Sequence, residues 1–413
     1  MTQFKQTLLT AAIVLATAFT LSCSGDGGGG SDPIKKAKIT GVSQKGPFVE
    51  GSKAVLYELN DGFAQTGRSF TDIIADNKGT FEIKNIEIAS PYAKLEANGY
   101  YRNENTGGIS KSPISLLAIA DVREKDQINV NILTHLEYYR VLNLAEHGKT
   151  VKDAKKQAQK EIFAVFGIDS DSFKDSEDMS IFGNTESDAA LLAISVLLQG
   201  DLSEGEFSQR LTNLSKAIET GGAWSDEAAK KAMAEWVTIA PQAAGTTIKN
   251  HILGWGLSPN VPDFEKFVRD YWVAYYCSEN NCLADPRDGT TYRLATVDNV
   301  IIMQDGFAYR GEDGGLGIAD DRNFICFSGV PCTSIEYTWA EAQNICPAGW
   351  QLPSKANLES LLDCKFQNLC YYNGGVGYSA WDNTGHAWDI NSRMPDGELI
   401  PCNSKCQVVC VKS

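Results

Sequence analysis

Residues 75–83, ADNKGTFEI, predict a tight turn that leads into an alternating strand. Asp, Asn and Gly in close succession are typical of a turn, and Phe81 and Ile83 alternate with polar residues as in a half-buried strand. Four other segments have the same character: 38–42, 54–59, 93–97 and 127–132. Short strands separated by turn residues predict an all-β sandwich over residues 38–132.

Two motifs of this region resemble a known family. Residues 46–52, GPFVEGS, and residues 76–81, DNKGTF, resemble the transthyretin-like regulatory domain that is found beside carboxypeptidases. The resemblance extends over about the whole of residues 38–132. It implies a spacer or docking module without catalysis of its own.

A helical segment is predicted over residues 133–275. Apolar residues recur at helical spacing between Ala154 and Phe166, and the apolar run 188–198 predicts a central buried helix. Thr150, Ser203 and Ser225 are expected to cap helices. Four tryptophans could stack on sugar rings, but their helical spacing favours core positions: Trp224, Trp236, Trp255 and Trp272. His251 has no partner residue at a metal-ligand or catalytic spacing and is interpreted as structural.

Composition excludes several classes of protein. The chain has 413 residues, with 43% hydrophobic and 22% charged residues, which is a globular composition. Asp and Glu outnumber Lys and Arg by 52 to 37, which gives a net charge of −15 and argues against a nucleic-acid partner. After residue 22 the chain has no apolar run long enough to span a bilayer.

The amino terminus predicts export and lipid anchoring. Lys5 precedes an apolar core from Leu8 to Leu21, and the small residue Ser22 and then Cys23 follow. This arrangement resembles a bacterial lipoprotein signal, which implies a signal peptide over 1–22 and an acylated, for example palmitoylated, Cys23. Residues 23–37 are Gly-rich and predict a flexible tether. We therefore expect an exported protein held on the outer membrane and facing the cell surface.

The cysteines support export. Ten of the eleven follow residue 276, and their even number in one exported segment predicts disulfides rather than a zinc site. The pairing stays open, although 277–282, 326–332 and 364–370 are sterically easy local pairs. The ten are Cys277, Cys282, Cys326, Cys332, Cys346, Cys364, Cys370, Cys402, Cys406 and Cys410.

The last part of the chain, residues 276–413, carries a second resemblance. Residues 346–354, CPAGWQLPS, with 337–345, YTWAEAQNI, and the terminal 406–412, CQVVCVK, are similar to the Fibrobacter major paralogous domain. The resemblance implies an α+β, disulfide-rich, C-type-lectin-like module. It also implies a bridge between Cys346, at the end of a short helix, and Cys410 on the last strand.

Candidate ligand residues of this module are aromatic. Tyr371, Tyr372, Trp381 and Trp388 are the expected contacts if the module binds sugar, whereas the two tryptophans could instead be core. The calcium motifs of lectins do not occur in the sequence, so no metal site is predicted. No cofactor is predicted either.

His135 and Glu137 are two residues apart, a spacing that points them away from each other on a helix, so they are interpreted as a strand-to-helix junction with a hydrogen-bonded His rather than as metal ligands. Nucleophile-elbow, phosphate-loop, zinc-protease and dinucleotide motifs do not occur. Catalysis is not expected, although a pair of carboxylates leaves no local signature.

Together these features predict a multidomain surface protein: sandwich, helical segment, then lectin-like module. The expected function is non-catalytic binding or adhesion, with polysaccharide as the ligand. The alternatives are an envelope lipoprotein that acts in assembly through protein partners, or an accessory subunit of a polysaccharide-degrading system.

Overall fold

The structure is a computed structural model. It describes residues 33–239, 243–276, 342–354 and 410–412, together with short strands at 282–284, 291–297, 300–303, 318–320, 334–336, 379–381, 387–393 and 399–401. Among these residues, no helix is long and apolar enough to cross a membrane.

Seven strands build two sheets in the first part of the described chain. They are β1 (Ile34–Gln44), β2 (Lys53–Leu59), β3 (Gln65–Ile73), β4 (Thr80–Ile88), β5 (Tyr92–Gly99), β6 (Ile114–Asp121) and β7 (Val130–Asn131). One sheet has the order β4-β1-β7, with β1 and β4 antiparallel and β1 and β7 parallel. The other has the antiparallel order β3-β2-β5-β6.

The turn before β4 forms as its residues predict. The Asp76 carboxylate accepts hydrogen bonds from the amides of Lys78 and Thr80. Gly79 has φ +80°, and a Cβ there would lie 2.3 Å from the Ser43 carbonyl oxygen, so only glycine fits. In the strand that follows, Phe81 and Ile83 are buried, as the alternation predicts.

Seven α-helices follow among the described residues: α1 (Ile132–Glu146), α2 (Val151–Val165), α3 (Glu186–Gln199), α4 (Glu204–Gly221), α5 (Glu227–Ile239), α6 (Ile248–Gly254) and α7 (Glu265–Tyr276). Thr150 caps α2 and Ser203 caps α4, as predicted. The predicted cap of α5 was wrong by one residue, because Asp226, not Ser225, accepts the hydrogen bond from Ala229 N. Asn131 caps α1 while ending β7, so strand and helix join without a loop.

One apolar core runs through the sheets and the helices. It includes Ile39 and Leu95 of the sheets, Leu192 of α3 and Trp272 of α7. In α3 every residue from Ser187 to Gln199 is buried, so the predicted central helix is confirmed. Trp224 and Trp236 are also buried, and Trp255 is half-buried and donates a hydrogen bond from Nε1 to the Gly107 carbonyl oxygen.

The last part of the described chain is built of short strands. They are β8 (Cys282–Ala284), β9 (Thr291–Val297), β10 (Val300–Met303), β11 (Ile318–Asp320), β12 (Ser334–Glu336), β13 (Trp350–Gln351), β14 (Ser379–Trp381), β15 (Ala387–Arg393), β16 (Leu399–Pro401) and β17 (Val411–Lys412). They form sheets of order β13-β17-β10-β9-β8, β11-β12 and β14-β15-β16.

The fold is therefore a mixed class in which sheets, helices and again sheets follow one another, as predicted at that coarse level. The finer predictions of a transthyretin-like sandwich and a lectin-like module are taken up as proposals below. The predicted boundary at 132/133 stays a prediction, although strands and helices on its two sides share one core.

Candidate functional site

All four predicted sugar contacts fall on residues whose side chains the structure does not describe. Tyr371 and Tyr372 lie outside the described residues. Trp381 pairs with Ala387, and Trp388 pairs with Ala380, on the neighbouring strands β14 and β15. These are successive register positions, which alternate between the two faces of a sheet. The part that these residues play in binding stays a prediction.

One predicted disulfide is confirmed. Cys346 and Cys410 are bonded, with Cα atoms 5.8 Å apart and a sequence separation of 64. Cys282 is also in a disulfide. The other predicted positions lie outside the described residues: Cys23, Cys277, Cys326, Cys332, Cys364, Cys370, Cys402 and Cys406.

A cavity of about 600 Å³ opens beside this disulfide. Its walls are Gln343, Asn344 and residues 346–352, which include most of the motif that resembles the paralogous domain, and none of them is ionisable, since Cys346 is bridged. Gln343, Asn344 and Gln351 are exposed there, and the Trp350 indole is half-exposed. The cavity therefore combines amide donors and acceptors with one aromatic ring.

A second cavity, of about 490 Å³, has the opposite character, because nine of its twelve lining residues are charged. Four separate segments meet there: the start of β5, the end of β6 with the residues that follow it, the start of α2, and the turn at Asp175–Glu177. We call it the charged cavity. It is lined by Tyr92, Asp121, Arg123, Glu124, Lys125, Thr150, Val151, Lys152, Lys155, Lys156, Asp175 and Glu177.

Glu177 is the most deeply placed acid of the charged cavity. Its side chain is 3% exposed, and its Oε1 lies 2.6 Å from Lys155 Nζ and 3.1 Å from Lys125 Nζ. Burial alone would raise the pKa of Glu177, but the two lysines outweigh it and hold the pKa below its usual range. Its other oxygen, Oε2, is buried and accepts no hydrogen bond.

The two lysines beside Glu177 are held in place by further bonds. Lys155 Nζ also donates to the Ile119 carbonyl oxygen at 2.9 Å. Lys125 Nζ lies 3.1 Å from Asp175 and 2.8 Å from Asp178. Burial would lower the pKa of Lys125, but Glu177 and the other carboxylates raise it above its usual value. Both lysines are therefore held next to the unpaired oxygen of Glu177.

Glu137 lies behind the charged cavity, on α1. It is 3% exposed and accepts a hydrogen bond from Ser176 Oγ. Burial raises its pKa to about 8, against the opposing effect of Lys155, so Glu137 is protonated at neutral pH. The two buried acids therefore differ: the lysines keep Glu177 charged, whereas burial keeps Glu137 neutral.

The predicted interpretation of His135 needs a correction. His135 lies in the first turns of α1, but its Nδ1 is buried and makes no hydrogen bond, so the expected hydrogen-bonded His is not formed at that atom. Burial lowers the pKa of His135 to about 4. Within the described part of the chain, no group of three or more His, Cys, Asp or Glu could hold a metal ion.

Sequence reasoning missed the charged cavity altogether. Lys152, Lys155 and Lys156 follow the Thr150 cap closely, and a run of acidic residues, DSED, occupies 175–178. Each pattern by itself is typical of a solvated surface. Comparison of the chain with family models, with curated proteins and with solved structures gives no match, so the two cavities have to be interpreted from their own chemistry.

Proposed function

We propose that the protein is a lipid-anchored cell-surface protein that binds polysaccharide without catalysing a reaction on it. The observation that carries this proposal is the cavity at residues 343–352. Ligand sites combine aromatic surface with a few placed polar groups, and amides both donate to and accept from hydroxyl groups. Trp350, Gln343, Asn344 and Gln351 provide this combination without a charge, which suits a neutral sugar.

The cavity is built on a rigid support. Cys346 in its wall is bonded to Cys410, and the next residue along the chain, Val411, pairs with Gln351 in the sheet. Trp350 pairs with Lys412 in the same ladder. A preorganised wall lowers the entropic cost of holding a ligand. The disulfide also agrees with export, which the proposed lipid anchor at Cys23 requires.

The finer fold assignments are part of the proposal. We infer that residues 38–132 are a transthyretin-like sandwich that serves as a spacer near the anchor, and that residues 276–413 are a lectin-like module of the Fibrobacter major paralogous type. The order of sheets and helices and the Cys346–Cys410 bond support this inference.

Assembly through protein partners would be favoured by a broad exposed apolar patch on the helices. Among the described residues only two large apolar side chains on helices are exposed, Tyr139 and Leu253. This distribution gives the assembly role no specific support. A role as accessory subunit of a degrading system is compatible with sugar binding and shares its test.

The test is a pull-down of the oxidised, lipid-free chain on soluble and insoluble polysaccharides, with and without EDTA. We expect saturable binding that is insensitive to EDTA and is lost in Trp350→Ala and reduced in Asn344→Ala. Trp381→Ala and Trp388→Ala are measured as separate variants, because the two residues occupy successive register positions of the β14-β15 pair and need not contribute to the same binding surface.

Tyr139→Ala, which removes an exposed aromatic ring from α1, is the matched control and should bind like the unmodified protein. Absence of binding to every polysaccharide would refute the proposal. Loss of binding in EDTA would refute the prediction that no metal takes part.

A further inference from the structure

We propose that the charged cavity is a second binding site, for an acidic sugar of the uronic acid class, whose carboxylate binds at the start of α2 and one of whose hydroxyl groups donates to Glu177 Oε2. This site is separate from the cavity at residues 343–352 and does not depend on the function proposed for that cavity. Two features of the charged cavity lead to the inference, one for each end of the ligand.

The anionic end is indicated by two lysines that have no ion-pair partner among the described residues. Lys152 and Lys156 lie one turn apart on α2, line the charged cavity, and form no ion pair with any described residue. The first amides of an α-helix have no acceptor inside the helix, and the helix dipole places partial positive charge there. The cavity wall at the start of α2 is formed by the two lysines, Thr150 and Val151, and Val151 is the first residue of the helix. A carboxylate is a suitable ligand for such a wall.

The hydroxyl end is indicated by the unpaired oxygen of Glu177. Its Oε2 is buried, has no donor, and belongs to a residue that lines the charged cavity. A buried carboxylate oxygen without a donor is unfavourable, so a donor from the ligand would lower the free energy of this site. A hydroxyl group supplies one, whereas sulfate has none. The two lysines on Oε1 neutralise Glu177, so its charge does not repel the acid of the ligand.

Other ligand classes fit this arrangement less well. A divalent cation would compete with Lys125 and Lys155 for Glu177, and five cations line the cavity against four carboxylates. A neutral sugar would leave Lys152 and Lys156 without a counter-ion. The volume of about 490 Å³ lies within the ~300–1,000 Å³ that is usual for small-ligand sites and exceeds what a lone oxyanion fills.

The test uses the oxidised, lipid-free chain and calorimetric titration with D-galacturonate, D-glucuronate, D-galactose and sulfate at low salt. We expect at least one uronate to bind, galactose to bind at least tenfold more weakly, and the double variant Lys152→Ala/Lys156→Ala to weaken uronate binding by about tenfold or more, since each charge-assisted hydrogen bond is worth about that factor.

Lys160→Ala is the matched control, because Lys160 is an exposed lysine of α2 that does not line the cavity. Glu177→Gln is added to test the hydroxyl end and is interpreted only if its thermal unfolding resembles that of the unmodified chain. If Glu177→Gln does not fold, the double variant Lys152→Ala/Lys156→Ala, which changes only exposed side chains, still tests the inference.

Each possible outcome of these titrations either supports or overturns the inference. No uronate binding, galactose binding as tight as uronate binding, or unchanged affinity in the double lysine variant would overturn the inference. Sulfate binding as tight as uronate binding would reduce the site to a simple anion site and overturn it as stated. The two sites can be tested independently. Trp350→Ala should leave uronate binding unchanged, and the lysine variants should leave the polysaccharide binding at residues 343–352 unchanged. Failure of this inference is therefore distinguishable from failure of the proposed function.

Discussion

Lys45 Nζ lies 2.6 Å from Glu104 Oε2, and neither side chain is exposed to solvent. Ser195 of α3 completes the contact, because its hydroxyl lies within donating distance of two acceptors, Glu104 Oε1 at 2.9 Å and the Lys45 carbonyl oxygen at 3.0 Å. The ring of Phe207 lies 5.3 Å from the ammonium group. A buried ion pair therefore joins the end of β1, the segment after β5 and the central helix, where sheets and helices share their core.

Removal of one charge of this pair should strongly destabilise the protein. In Glu104→Gln the Lys45 ammonium stays buried without a counter-charge, which costs about 3–5 kcal/mol in comparable pairs. Urea unfolding should show this loss, and Lys45→Met combined with Glu104→Gln should lose less than Glu104→Gln alone. Asp171→Asn breaks the exposed pair with Lys160 and should cost less than about 1 kcal/mol. Similar losses for the buried and exposed pairs would contradict this prediction.

Glu137 should make stability fall as pH rises. Its pKa is about 8 in the folded state, above its ordinary value near 4.5, so the folded state binds the extra proton. The stabilisation is complete below pH 4.5 and is lost as pH rises through 8. His135, with its pKa lowered to about 4, acts in the opposite direction below pH 6.5, so the window between pH 6.5 and 8 separates the effect of Glu137 from that of His135.

Over that window the loss should be about 2 kcal/mol. Glu137→Gln removes the ionisation and should flatten the dependence of the melting temperature on pH between 6.5 and 8. An unchanged slope in this variant would mean that another group causes it.

The Cys346–Cys410 bond should support the last part of the chain. Loop closure over a separation of 64 residues corresponds to about 4 kcal/mol on the chain-entropy model. Cys346→Ser/Cys410→Ser should therefore lower the stability of the strands around residue 350 and abolish the binding assigned to Trp350. Near-ultraviolet circular dichroism on heating measures the first effect, and polysaccharide pull-down the second. Equal melting curves of the variant and the unmodified protein would argue against a structural role.

The cap of α2 should be worth about 1 kcal/mol. Thr150 Oγ1 accepts from Asp153 N at 3.1 Å, and Thr150→Ala leaves this amide without its partner. Thr212→Ala is the control, because Thr212 is exposed inside α4, where Ala favours the helix. Urea unfolding should therefore show a loss for Thr150→Ala and none for Thr212→Ala.

Cys23 should be the site of lipid attachment. In a bacterial host that processes lipoproteins, the full chain should label with radioactive palmitate and fractionate with the membrane, and Cys23→Ser should abolish both. Ser24→Ala is the control and should label normally. Membrane fractionation of Cys23→Ser without label would show that another segment holds the protein there.

Local signals predicted much of the secondary structure. The Asp76 turn, the Thr150 and Ser203 caps and the buried run of α3 were all recognisable, because each depends on residues within a few positions of one another. The prediction failed for Ser225, where Asp226 is the next residue and an equally good cap. The alternation pattern also did not show a change of phase within β4. Phe81 and Ile83 are buried before Asn85, whose φ is +53°, and Ile86 and Ile88 are buried after it.

The sequence by itself determined the order of strands and helices, several helix caps and the expectation of disulfides, since periodicity, capping and cysteine content are local or compositional properties. Only the tertiary structure decided the Lys45–Glu104 pair, the pKa of Glu137 and the charged cavity. Lys45 and Glu104 are 59 residues apart, and Ser195 is 91 residues beyond Glu104. Burial and charge pairing depend on which distant residues meet, and that is a property of the packed core.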